Sequence, residues 1–272
     1  MVGAKLTGAI FDQAQLESAN LEGASAALVS LRGALANSVD LRGADLTSAK
    51  LDGAELAAAV LDGAEAAGAS LRAARLLGAS LLKASLRGAD LTDAGFERAQ
   101  LVEANLAFTR CDGARFDHAN LSAALFECAH GAQVSLRHAI LTDLRATGVV
   151  FSEAHVEQAV ANGSIWIAAQ LGGARFDQAE LGRACFDEAK LDGAGFDRAL
   201  MKQASLARAS LRGAQLTRVN LFRGVLEGAD LSEADVRGSN LFECELLEAI
   251  TQDARFERTN LKRTKLEASQ TP

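Results

Sequence analysis

The side chains best able to do chemistry in this chain are four histidines and four cysteines. Their spacing gives them little to work with. His118 and His138 share one phase of the sequence, with Asp117 beside the first. Two imidazoles near a carboxylate could begin a metal site, but a third ligand is not evident, so neither a metal nor another cofactor is expected. Cys111, Cys128, Cys185 and Cys244 form no paired zinc spacing, and unpaired thiols fit a reducing compartment, so a cytoplasmic location is expected. There is no nucleophile elbow and no phosphate loop. Every Ser and Thr falls inside one repeating pattern. The chemistry therefore points away from an enzyme and toward the pattern itself.

That pattern has a period of five. From Leu6 to Leu266 there are 53 positions in register, and 41 of them are Leu or Phe. Two residues before each lies a second register, from Ala4 to Thr264, in which 40 of 53 positions are Ala. No insertion shifts the frame. Ala and Leu favour helix by propensity, but five residues of helix turn about 500°, which smears the leucines around the cylinder. A straight strand also fails, because an odd spacing alternates faces. A short extended segment with Ala and Leu inward, followed by a corner, keeps every Leu inside. Corners repeated in this way bend the chain into a coil. Of the 24 glycines, 18 fall two residues after the Leu or Phe, where a turn needs a permissive backbone.

Segments such as Ala44-Asp45-Leu46-Thr47-Ser48 and Ala229-Asp230-Leu231-Ser232-Glu233 resemble the A(D/N)LXX unit of pentapeptide-repeat proteins. The resemblance covers nearly the whole chain. It implies an all-β fold, a right-handed quadrilateral β-helix of about 13 coils, as one domain over residues 1–272. At about 4.8 Å per coil this is a rod roughly 60 Å long. Each coil of such a solenoid buries its apolar residues only against its neighbours.

The register degrades between 131 and 170. Gly131, Ala146, Ala161 and Trp166 replace Leu or Phe, and Val134, Leu144, Val149 and Ser164 replace Ala. Either Trp166 fills volume left by small neighbours, or residues 160–169 bulge outward as a recognition feature. Soft spots at Ala26, Ala36 and Ala66 leave open whether Leu28 and Leu35 tilt inward or stay on the surface.

Residues one coil apart should stack in columns, which brings His118 over His138. Asp12, Arg32, Asp52 and Arg72 alternate in sign, which avoids like-charge stacking. Glu97, Asp117, Arg137, Glu157, Asp177 and Asp197 form a mainly acidic column. The family resemblance implies one use for it: mimicry of duplex DNA toward a topoisomerase such as DNA gyrase, protecting it from quinolones. The net charge of −7 disfavours direct binding of nucleic acid. No run of about 18 apolar residues exists, so no membrane span is expected. Asp12 interrupts any secretory h-region near the N-terminus.

Nine of 12 Phe lie on the inward register; Phe108, Phe222 and Phe242 do not. Phe222 and Phe242 should stack on one outer corner, with Val225, Leu247 and Ile250 nearby. Exposed aromatics with aliphatic neighbours mark a contact surface, so a homodimer or partner interface through the C-terminal coils is expected. The segment Thr259–Leu266 resembles the end of some pentapeptide-repeat proteins associated with bacterial type VI secretion. Together these features point to a non-catalytic interaction scaffold, with the gyrase-binding DNA mimic as the rival.

Overall fold

The computed structural model describes residues 2–264. The chain divides into two compact units, Met1–Ile140 and Leu141–Pro272. Both repeat one local geometry, and no helix occurs among the described residues.

The segment Asp45–Lys50 shows how one repeat specifies that geometry. Leu46 N–H donates to Glu65 O at 2.7 Å and Ser48 N–H to Ala67 O at 2.9 Å, both in the following coil. Lys50 N–H donates to Val29 O at 2.8 Å in the preceding coil, and Ala49 N–H closes the corner on Leu46 O at 2.9 Å. Four of five amides are thus met by backbone. The fifth, Thr47 N–H, is met by the Asp45 carboxylate at 3.0 Å.

This explains why Asp or Asn so often precedes the Leu. The second residue of each corner has an amide without a backbone partner, and an Asx side chain just upstream supplies one. Asp90, Asn120, Asp230 and Asp235 act in the same way. Elsewhere the acceptor comes from the coil before. Asp62 receives Leu82 N–H at 2.9 Å and Asp112 receives Ala132 N–H at 3.0 Å.

The third residue of the corner has positive φ throughout, from Gly3 to Arg263, between +53° and +71°. With a hydrogen bond from residue four to residue one, this is the sign pattern of a type II turn. The sequence expectation of a permissive residue there holds, but only 18 of the 53 are Gly and 35 are not. Each non-Gly residue bears a cost of roughly 1–2 kcal/mol, which in most of them an inter-coil bond from the residue's own amide helps to offset.

In Met1–Ile140 the ladder runs from Lys5↔Ser25 to Asn120↔Ile140, all parallel, each residue pairing with the one four repeats on. Four corners between paired residues make a four-sided coil. In Leu141–Pro272 the same ladder runs from Arg145↔Ile165 to Asn240↔Asn260. Inside, the Ala and Leu/Phe registers are fully buried from about Leu21 to Ala249. Each buried Leu contributes roughly 1.5–3 kcal/mol. Leu6, Phe11 and Leu16 in the first coil are only half-buried, as are Phe256 and Leu261 in the last described one.

Departures from the pattern are packed rather than expelled. Residues 160–169 keep the frame, with Val160↔Glu180 and Ile165↔Cys185 paired. Trp166 is buried and stacks on Phe186 at 6.1 Å, with Phe176 edge-on at 5.8 Å. Its Nε1–H donates to Ser164 Oγ at 2.8 Å, and that hydroxyl donates to Ala161 O at 2.7 Å. The replacement of Ala by Ser at 164 is therefore tied to the replacement of Leu by Trp at 166. In the other unit, residues 131–134 form a bend, and Gly131 lies on the backbone of the previous coil. A Cβ there would come within 2.6 Å of the Cys111 carbonyl carbon. Leu28 stays on the surface, 57% exposed, and Leu35 is also exposed.

Candidate interaction surfaces

Reactive groups are absorbed into the architecture. Cys111 and Cys244 are buried on the inward registers, and burial pushes their thiols up to about 12 and about 11. Cys128 is exposed and Cys185 half-buried, as their outward register requires. His118 and His138 stack with ring centroids 4.7 Å apart. No group of three or more metal-binding side chains occurs among the described residues.

The acidic column behaves as structural bracing. In Met1–Ile140, Glu97 pairs with Arg115 Nε at 2.6 Å. Asp117 accepts the Ser135 hydroxyl and, at 3.0 Å, the Arg137 amide. In Leu141–Pro272, Glu157 meets His155 at 3.1 Å. Asp177 is only 9% exposed; it receives Arg175 Nε at 2.6 Å and the Asp197 amide at 2.8 Å. Asp197 accepts Thr217 Oγ1 at 2.6 Å and lies 3.6 Å from Arg198. Column stacking was legible in the sequence. Some neighbours that occupy these carboxylates lie one or two residues away in sequence, as His155, Arg175 and Arg198 do, and the others come from the next coil.

Near the C-terminus, Phe222 and Phe242 do stack, with centroids 5.9 Å apart and planes inclined by 11°. Both are half-buried, as is Val225, whereas Leu247 and Ile250 are 41% and 49% exposed. The exposed apolar surface therefore centres on Leu247 and Ile250, from the next corner of the coil onward, rather than on the rings.

Sequence reading missed what holds the rings. The Arg223 guanidinium lies over Phe222 at 4.9 Å and that of Arg263 over Phe242 at 5.7 Å. Glu243 joins the two arginines at 2.7 and 3.1 Å, and they hold its carboxyl below the usual range. Alongside runs an asparagine ladder. Asn240 Nδ2 donates to Asn220 Oδ1 at 3.2 Å, and Asn260 Nδ2 to Asn240 Oδ1 at 3.0 Å. The signal was present as the one-coil spacing of Arg223, Glu243 and Arg263 and of the three asparagines. Of Thr259–Leu266, the last two residues lie outside the described residues.

No helix among the described residues is long and apolar enough to cross a membrane. Comparison with curated proteins returns no match. Among solved structures, the chain is similar to HetL, a pentapeptide-repeat protein involved in heterocyst differentiation regulation in Nostoc sp. strain PCC 7120. The identity is 28% and the TM-score 0.36, over 95% of this chain and 92% of that one. It is also similar to a trypsin-treated form of QnrB1, a plasmid-mediated fluoroquinolone resistance protein. There the identity is 20% and the TM-score 0.35, over 72% of this chain and 91% of that one. The family model for pentapeptide repeats matches in eight copies, over residues 1–35, 40–76, 69–106, 99–143, 114–152 and 184–221. The chain belongs to the pentapeptide-repeat family, and its fold is the right-handed quadrilateral β-helix.

Proposed function

We propose that this protein is a non-catalytic interaction scaffold that docks a protein partner through the C-terminal coils, by Leu247 and Ile250 together with Phe222, Phe242 and Val225. The observation that carries the reading is the exposure of Leu247 and Ile250 in the same C-terminal coils as a stacked ring pair with arginines over it. A surface preorganised in this way loses little entropy on binding. The contact joins either two copies by a two-fold axis or one copy to another protein. The free cysteines suit action in the cytoplasm. Type VI secretion would be one setting for such a scaffold, and only the segment 259–266 supports it.

The test is Leu247→Ser with Ile250→Ser, and separately Phe222→Ser with Phe242→Ser. Light scattering should show whether the wild type is dimeric. Cross-linking from residue 248 in native cells should identify a partner if it is not. Both variants should keep a β-rich spectrum and lose the dimer or the cross-link. Retention of the contact by both would overturn the reading.

The rival reading is a DNA mimic acting on gyrase, as the resistance function of QnrB1 would prompt. It requires carboxylates free to face a basic groove. Asp177 is buried against Arg175, and Glu97, Asp117 and Asp197 are each engaged within the fold. The geometry therefore favours the scaffold. A supercoiling assay with and without a quinolone decides between them: a change in gyrase activity that is lost on Asp177→Lys with Asp197→Lys would restore the mimic.

A further inference from the structure

Within Leu141–Pro272, one side of the coil bears a charge opposite to that of the chain as a whole. It runs from the corner containing Thr217 and Arg218, across Asn220, to the corner containing Phe222 and Arg223. It recurs once per coil from Asp197 to Arg263. Over these four coils the outward positions carry eight Arg or Lys and three Asp or Glu, in a chain whose net charge is −7. Two of the three acids are already engaged. Glu243 is held between Arg223 and Arg263, and Asp197 by Thr217 and Arg198. Lys202, Arg218, Arg258 and Lys262 have no acidic partner within ion-pair distance among the described residues.

This side also has a groove. Arg218 and Arg258 occupy the same corner position two coils apart, roughly 10 Å at about 4.8 Å per coil. Gly238 stands between them and contributes no side chain. The resulting cavity measures about 660 Å³ and is lined by Arg218, Arg237 and Arg258, with Thr217, Asp197 and Glu257 on its walls. The Asp235 carboxylate fixes Arg237 through Nε at 2.8 Å and Nη2 at 2.6 Å. Two uncommitted guanidinium groups thus flank a cleft beside Arg237, whose charge Asp235 already meets, and of the two carboxylates on the walls Asp197 is spent on its own neighbours, which leaves Glu257. That arrangement suits carboxylates, which planar guanidinium groups bind in bidentate fashion.

We propose that this basic side binds an acidic segment of a protein partner, with carboxylates seated in the groove between Arg218 and Arg258. The inference rests on the scaffold reading and names the chemistry of its partner. A second copy seated in this groove fits poorly, since two-fold pairing of the Arg218–Arg258 corner would set like charges against one another, whereas a two-fold contact centred on Leu247 and Ile250 uses the following corner. Nucleic acid fits poorly as well. Each Phe ring already carries a stacked ring and a guanidinium, which leaves little aromatic face for a base. The basic side is also only four coils, roughly 20 Å, long, which is short for the run of phosphate contacts that holds a duplex.

The full chain is titrated with a fluorescent peptide of alternating Glu and Ser, a Lys/Ser peptide and a short DNA duplex, at low and physiological salt. The Glu/Ser peptide should bind best. Arg218→Ser with Arg258→Ser should weaken it by roughly tenfold or more and flatten its salt dependence. Lys202→Ser with Lys262→Ser provides a second variant at exposed positions. Arg32→Ser with Arg72→Ser, which removes the same charge from the other unit, should leave binding unchanged. The proposal is overturned if the acidic peptide fails to bind, if the control pair weakens it equally, or if DNA binds more tightly. It is also overturned if the Arg218/Arg258 variant dissociates a wild-type dimer. Loss of peptide binding leaves the scaffold reading intact as long as the Leu247/Ile250 contact persists.

Discussion

Gly193 and Ala73 each occupy a corner position whose demand is set by backbone geometry, and Asp45 stands just before one. At the third corner residue the demand is a positive φ. Gly193 meets it at +65°, with open space where a Cβ would stand, so Gly193→Ala should cost only conformational strain, about 1 kcal/mol. Ala73 adopts φ +53° without that freedom. Ala73→Gly should therefore stabilise the protein, by somewhat less than about 1 kcal/mol because the unfolded chain gains entropy. Denaturant midpoints of the two variants should move in opposite directions, and movement in the same direction would refute the account. The corner was legible from the placement of glycine. How the other corners manage without glycine was not, because the compensating bond runs to a residue in the next coil.

At the scale of the coil, exceptions to the register occur in coupled sets. Trp166 needs an acceptor for its indole N–H in an apolar interior, and Ser164 supplies it while satisfying Ala161 O. Ser164→Ala restores the consensus residue and should nevertheless destabilise, by about 1–3 kcal/mol, because a buried donor is left unmet. Trp166→Leu with Ser164→Ala should recover most of that loss. A Ser164→Ala variant as stable as wild type would show that the hydroxyl is dispensable. The sequence showed both departures without their link, since closeness along the chain does not reveal which way a side chain turns. Gly131 is similar: its closeness to the Cys111 backbone depends on the stacking of coils.

Across the molecule, carboxylates cap amides and pair with arginines on both units. Hydrogen bonds from Arg42 to Asp40, from Thr47 to Asp45, from Ser232 to Asp230 and from Arg237 to Asp235 hold these carboxyls below the usual carboxylate range. A carboxyl with a folded pKa below its unfolded one contributes stability that is complete above the unfolded value and is lost as pH falls through the folded one. Melting temperature should therefore be nearly flat from neutral pH to about 5 and fall below about 4. Asp235→Asn should reduce the acid-dependent part of that loss. A melting temperature unchanged down to about pH 2 would remove these carboxylates from the stability of the fold.

The period of five by itself required a coil with repeated corners, and the family resemblance supplied its four sides and its hand. No helix or flat strand can bury residues at that spacing, whereas a coil with a corner in every repeat can, and stacking of coils then places each residue in a column. Columns such as Phe222 over Phe242 followed directly. Which columns are free to act was decided only by tertiary structure. A carboxylate's availability depends on what adjacent corners and coils extend toward it, and Asp177 is covered by Arg175 and the Asp197 amide. The same holds for the uncommitted arginines: Arg218 and Arg258 converge on a groove because Gly238 lies between them in space, a full coil from each along the chain.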